Sequence, residues 1–288
     1  MSLWLDMLGA EIRFVTTPNY GEIRIAEAGK GNSDIIVFQH GINGHLEAYA
    51  KNIMALSEDF HVIAFDYVGH GLSSKKEMDY SPIVLAEQMK ELLDVLGHKK
   101  VHLSGESLGG WTSAHFAAKY PERVDRLMLN TAAGLPIVTE KGKKDLENLI
   151  ELNKRNINNV PNYESVEARM HWLMHESNHH LINDELVNLR LGIYLKPETM
   201  KIAPRITEIV QKHDDYLIPL ESIKCDTLFL WTEDNPIHDI ETARSASKKI
   251  PGSQVYLMKA KSAHWPQYEA PDEFNQVTRN FFKHGKVE

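Results

Sequence analysis

One cysteine, Cys225, stands in a chain of 288 residues. A lone thiol can form neither an intrachain disulfide nor a thiolate cluster around a metal. Long apolar runs are also missing. No stretch approaches the roughly 20 residues of a membrane-spanning helix. The start, "MSLWLDMLGAEIRF", lacks the basic residues and apolar run of a secretory signal. Dense basic blocks are absent too: 40 acidic residues face 32 basic ones, for a net charge of −8. That balance excludes a surface built for nucleic acid, and the short "HKK" and "KGKK" runs read as solvated faces. There is no internal repeat and no low-complexity segment. The expectation is a protein of a reducing, cytoplasmic setting, with no metal. With 42% hydrophobic and 25% charged residues the chain can bury a sizeable core, as one large domain or two small ones.

Strand and helix patterns alternate along more than half of the sequence. Residues 11–27 predict two strands around a Pro-Asn-Tyr-Gly turn, and 34–41 and 61–71 predict two more. Apolar residues at helical spacing over 89–97 stop at Gly97. A strand over 100–105 leads to a helix over 109–121, and 124–132 is again a strand. The pattern then breaks. Residues 135–213 are helical, polar and rich in Asn and His, before strands and helices resume at 225. This order predicts an α/β fold whose mainly parallel sheet is covered on both faces. Residues 1–134 and 214–288 would form the core, and 135–213 a helical cap over the carboxyl ends of the strands, where open α/β sheets bind ligands.

The chemistry gathers at "SGESLGG". Gly105-Glu106-Ser107-Leu108-Gly109 fits G-x-S-x-G between a strand and a helix, the context of a nucleophile elbow. Glycines two positions either side leave room for a sharp turn, and the helix start aims free N–H groups at the site. The competing reading is a glycine-flanked turn whose serine caps a helix. "VFQHGINGH" (37–45) supplies a strand ending in His40-Gly41 and an irregular loop. The N–H groups of Ile42 and Leu108 would make an oxyanion hole. His40 reads as a structural histidine beneath that loop. Among 15 histidines, His264 is singled out because it follows the last strand, at the carboxyl edge of the sheet. Ser, then acid, then His is the chain order of the α/β-hydrolases. His70 and the cluster in "HWLMHESNHH" are weaker candidates; the cluster reads as a polar helical face, since no zinc-protease spacing is present. The acid should lie in "LWTEDNPIHD", where Glu233, Asp234, Asn235 and Asp239 are all open. A carboxylate there orients the imidazole and stabilises its cation, whereas an Asn can orient the ring but supplies no charge; in a serine protease the Asp to Asn change costs about four orders of magnitude in turnover.

"DYVGHGLS" and the elbow resemble the α/β-hydrolase superfamily. "GHLEAYAKN", "GESLGGW", "NDELVNLRLGIY" and "HWPQYE" together resemble, more narrowly, the meta-cleavage product hydrolases, over about residues 12–282. The resemblance implies hydrolysis of a carbon–carbon bond in 2-hydroxy-6-oxo-hexa-2,4-dienoates, giving 2-hydroxypenta-2,4-dienoate and a carboxylic acid, without a cofactor. It implies Ser107 as nucleophile and His264 as acid and base. Arg190 would bind the dienoate carboxylate, with Gly41, Asn43 and Trp265 also lining the substrate site. An arginine fork can pair both carboxylate oxygens; the plainer alternative is a surface charge paired with Glu185 or Asp184. The resemblance further implies a homodimer acting on a small molecule, with neither nucleic acid nor membrane as partner.

Two positions depart from the family pattern. Glu106 stands where many members have a small polar amide. Asn235 stands four residues after the strand-ending Trp231, where the family has a carboxylate. The neighbouring Asp234 is the expected acid, because it keeps the charge. A carboxylesterase or lactonase on the same fold, with little use for Arg190, and a non-catalytic ligand-binding α/β-hydrolase are the alternatives.

Overall fold

The computed structural model describes residues 2–156 and 159–287. Ile157 and Asn158, inside the expected cap, lie outside the described residues. Eight strands form one sheet: β1 (Glu11–Thr17), β2 (Gly21–Ala28), β3 (Ile35–Gln39), β4 (His61–Phe65), β5 (Val101–Glu106), β6 (Val124–Asn130), β7 (Asp226–Trp231) and β8 (Gln254–Leu257). Their spatial order is β1-β2-β4-β3-β5-β6-β7-β8. β1 and β2 pair antiparallel, β2 pairs antiparallel with β4, and every pair from β4 onward is parallel.

The sequence explains these environments. β4 and β5 are buried at every position, as strands covered on both faces are, and β4 reads as an apolar run after His61. The edge strand β1 is largely exposed. The helix Pro82–Leu96 starts where the Ser81 side chain accepts the N–H of Val84, with Pro82 at its first position. It stops at Gly97, whose φ of +78° suits glycine. That start lies seven residues before the apolar pattern suggested. β4 is shorter than the expected 61–71, because Asp66 ends it: one carboxylate oxygen accepts the N–H of Leu46 and the other that of Leu72, each at 2.7 Å. Those bonds turn the chain out of the sheet.

Among the described residues between β6 and β7 run four α-helices, Glu140–Asn156, Tyr163–Leu173, Asp184–Tyr194 and Pro197–Gln211. Asn162 and Ser165 form a reciprocal cap on the second, and Asn183 caps the third. These helices touch the loops at the carboxyl edge of the sheet. Leu173 O accepts the N–H of His264 at 2.9 Å, and Tyr194 donates to Asn43 O at 2.8 Å. No helix among the described residues is long and apolar enough to cross a membrane.

Candidate active site

Ser107 sits between β5 and the helix Leu108–Lys119 at φ +52° and ψ −113°. That is costly backbone for a residue with a side chain, and such strain concentrates at functional sites. Asn43 (φ +56°) and Thr131 (φ +43°) are the other two non-glycine residues at positive φ among those described, and both flank the same edge of the sheet. The flanking glycines are required by space. A Cβ on Gly105 would come within 2.1 Å of the Gly109 carbonyl carbon, and one on Gly109 within 2.1 Å of Gln39 O. The elbow therefore rests directly on the end of β3, whose Gln39 is in register with Gly105. Gly110 and Trp111, two of the family-like residues, serve packing: a Cβ on Gly110 would meet Ala132, and the Trp111 indole donates to Tyr216 O at 2.6 Å.

Ile42 follows Gly41 in the loop after β3, and Leu108 takes the first helical position after the serine. The register of β3 and β5 thus brings both expected oxyanion donors to one edge. His40 lies beneath that loop. Its Nδ1 bonds Gly41 O at 2.7 Å, its Nε2 accepts the N–H of Tyr67, and burial depresses its pKa to about 4. It is a neutral structural group, as expected from sequence. His70 is also buried and held neutral.

His264 reaches the site from the loop after β8. Glu269 Oε1 accepts the N–H of Ala263 at 2.9 Å and of Trp265 at 3.1 Å, so one carboxylate grips both neighbours of the histidine. Its Oε2 accepts the N–H of His175 and the side chain of Asn178, tying the histidine loop to the β6–β7 insertion. Thr131 and Thr232 donate to the carbonyls of His264 and Ala263. Glu269 was not singled out from sequence. Its signal was there, in "HWPQYE", but a brace through backbone N–H groups has no spacing rule.

The structure corrects the choice of Asp234. That side chain is turned outward, about half exposed, and pairs with His175 at 3.3 Å and Lys261 at 3.6 Å. Asn235 faces the histidine instead, its Oδ1 lying 3.2 Å from His264 Nδ1. The same oxygen accepts the N–H groups of Ile237 and His238, while Asn235 Nδ2 is buried without a partner. Of the other acid candidates, Asp239 caps the helix Ile240–Ser247 and Glu233 is exposed. The carboxylate that does touch His264 is Glu106. Its Oε1 lies 3.1 Å from Nε2, and its Oε2 accepts the N–H of Gly41 at 2.8 Å.

Arg190 is buried, on the helix Asp184–Tyr194. Its guanidinium lies 4.3 Å over the Trp265 ring and donates to Tyr194 Oη at 3.0 Å. Among the described residues no carboxylate lies within ion-pair distance of it, and its Nε has no partner. Glu185 and Asp184, the alternative partners, are engaged with Ser2 and Tyr163. Arg190, Trp265, Tyr194 and Asn43 thus form one contact chain from insertion to core. The histidines of the 171–180 cluster bond one another's backbone and Ser177, and no group able to hold a metal occurs among the described residues. A cavity of about 20 Å³, little more than one water, runs beside His238 between Ala132, Leu135, Ile137 and Leu146.

Residues 34–271 match the family described as the alpha/beta hydrolase fold. The chain is 28% identical, over 95% of its length and 96% of theirs, to two curated proteins. One is a 2-hydroxy-6-oxononadienedioate/2-hydroxy-6-oxononatrienedioate hydrolase of Comamonas testosteroni, the other a 2-hydroxy-6-oxo-6-phenylhexa-2,4-dienoate hydrolase of Burkholderia cepacia. Among solved structures it resembles a bacterial membrane phospholipase A, with a TM-score of 0.80 and 25% identity over 96% of this chain and 87% of that one. Eight mainly parallel strands, a strained serine elbow between β5 and its helix, and a histidine after the last strand agree with that match: the chain belongs to the alpha/beta hydrolase fold family.

Proposed function

We propose that this protein is a serine hydrolase that cleaves the C5–C6 bond of 2-hydroxy-6-oxo-hexa-2,4-dienoates, with residues 135–213 as the cap over a core of 1–134 and 214–288. The observation that carries the reading is Arg190. A buried guanidinium without a carboxylate, stacked on the residue next to His264, is suited to an anionic group on the substrate. The half-buried Arg169 of the same insertion adds positive charge, and it interacts electrostatically with Arg190 and Glu106. The relatives named above act, by name, on carboxylates of this class.

In this reading the dienol is first converted to its keto tautomer, which places a CH₂ at C5. Ser107 Oγ then adds to the C6 carbonyl, its proton passes to His264, and the oxyanion is held by the N–H groups of Ile42 and Leu108. Collapse breaks C5–C6. The electron pair leaves into the conjugated C2 ketone, whose oxygen takes the proton from His264, releasing 2-hydroxypenta-2,4-dienoate. Water, deprotonated by His264, frees the carboxylic acid from the serine. Arg190 holds the C1 carboxylate beside the C2 oxygen, where charge develops. Gly41, Asn43 and Trp265 shape the walls, and no cofactor is called for.

The test is the loss of dienoate absorbance on mixing with enzyme. Bleaching with at least one alkyl, carboxyalkyl or aryl dienoate is expected, and Arg190→Ala should raise KM or lower kcat/KM by about 100-fold. Its effect on a neutral nitrophenyl ester should be far smaller. Ester hydrolysis without turnover of any dienoate would replace this reading with an esterase, as the likeness to a phospholipase suggests.

A further inference from the structure

His264 has an amide where the family pattern has an acid, and its closest carboxylate lies on the other side of the ring. The proton count there is fixed by geometry. Asn235 Oδ1 accepts two backbone N–H groups, so it is this oxygen, not the amide nitrogen, that meets His264. Nδ1 must then carry a hydrogen. In a neutral ring this leaves a bare lone pair on Nε2, and a lone pair facing an ionised carboxylate at 3.1 Å is repulsive. The contact is attractive only with one more proton, shared between Nε2 and Glu106 Oε1. Both side chains are almost fully buried, so this interaction is poorly screened by water. The Gly41 N–H holds Oε2 in place from below.

We propose that Glu106 is the charge partner of His264, supplying at Nε2 the negative charge that Asn235 cannot supply at Nδ1. The proposal rests on Ser107 and His264 as nucleophile and base, and not on the choice of dienoate. At rest the pair holds its shared proton. Release of that proton to solvent frees Nε2 to accept the proton of Ser107, and the imidazolium formed during attack is stabilised by the Glu106 carboxylate instead of an acid behind the ring. Gly41 is occupied by Glu106, but the amides of Ile42 and Leu108 are not, so the carboxylate does not displace the expected oxyanion donors.

Other titratable groups face the pair. Burial holds His40, Tyr49 and Tyr67 neutral on the Glu106 side, and His238 neutral beside His264, while Arg169 of the insertion remains a cation. None of these supplies a negative charge to His264.

The experiment is the rate of Ser107 labelling by a fluorophosphonate, which needs no knowledge of the substrate. Glu106→Gln keeps an oxygen for the Gly41 N–H and removes the charge. It should slow labelling about tenfold or more. In an Asn235→Asp background, where a carboxylate backs Nδ1, the same change should cost less than about threefold. Equal losses in both backgrounds would mean a structural role, and labelling as fast as native or faster would mean that Glu106 obstructs the site; either overturns the proposal. Circular dichroism and melting establish that the variants fold. Glu106→Asp, which withdraws the charge by one methylene, is the second variant and should fall between native and Gln; native-like labelling by it would also overturn the proposal. Absence of labelling in the native protein would overturn this proposal together with the serine reading. Normal labelling with no dienoate turned over would leave it standing and remove only the proposed substrate.

Discussion

Arg24 and Arg190 are 5% and 4% exposed, and their surroundings differ in every other respect. Arg24 is on β2, and its side chain reaches the turn after β4. Its Nε and Nη2 meet Asp66 at 2.7 and 3.2 Å, and Nη1 and Nη2 meet Glu47 at 2.8 and 2.7 Å. Asp66 in turn accepts the amides of Leu46 and Leu72, and Glu47 bonds His45. Arg190 has one hydrogen bond, an aromatic face and an unpartnered Nε. The first cluster is closed: each charge finds its opposite inside the fold, which fixes the loops beneath the site. The second is open, and an open buried charge costs stability unless a ligand completes it. Glu106, His264 and Asn235 belong to the open kind, with Asn235 Nδ2 also unpartnered.

Breaking the closed cluster should have the largest effect. Arg24→Met leaves two carboxylates buried without their cation and is expected to cost about 3–5 kcal/mol of stability, read from urea unfolding. A loss under about 1 kcal/mol would mean that the cluster relaxes into water and is not closed.

The same cluster should set an acid limit. Burial opposes ionisation of Glu47, but the hydrogen bond from His45 and the charge of Arg24 outweigh it and hold the carboxyl well below the usual range. Above about pH 5 this carboxylate is charged in both folded and unfolded chains. As pH falls through the ordinary glutamate value near ~4.3, the unfolded chain takes up the proton first, so stability falls and continues to fall until the folded carboxyl protonates. Native unfolding midpoints should therefore drop between about pH 5 and 3, and Glu47→Gln should flatten that drop. An unchanged slope in the variant would assign the acid sensitivity elsewhere.

Glu269 joins the two kinds, since it is a closed carboxylate that positions an open histidine. Its four acceptor contacts all matter to the loop of His264. Glu269→Gln turns one oxygen into a donor facing other donors and should cost about 1–3 kcal/mol. Fluorophosphonate labelling of Ser107 should slow as well; a stability loss with native labelling would show that the loop holds its histidine without this brace.

The closed parts were far more legible in the sequence than the open ones. Strands β3 to β6, the elbow glycines and the helix stop at Gly97 follow from local rules, because burial and turn geometry act on neighbours in the chain. His264 was found from its place after the last strand. Keeping a charge points to Asp234 in the sequence, but side-chain direction in that loop is set by the backbone, and Asn235 Oδ1 is held inward by two N–H groups two and three residues on. Glu106 adjoins Ser107 in sequence, yet its contact with His264 spans 158 residues of chain and no spacing reveals it. For Arg190 the sequence held more than was taken from it. Glu185 and Asp184 stand five and six positions away, whereas helical partners stand three or four apart, so the surface pairing was never available on one helix.

Replacing Arg190 should give the smallest stability change, and that is what separates it from Arg24. Arg190→Met removes a hydrogen bond to Tyr194 worth about 1 kcal/mol and a cation–π contact worth about 0.5–2 kcal/mol. It also removes a buried, unpartnered Nε whose desolvation costs about 1–3 kcal/mol, and methionine keeps much of the packing on Trp265. These contributions nearly cancel, so the unfolding midpoint should move by less than about 1 kcal/mol in either direction. Two arginines of equal burial would then differ several-fold in what their loss costs the fold. A loss at Arg190 as large as that at Arg24 would mean that its cation is already balanced inside the protein, and would remove the main reason for assigning it a substrate carboxylate.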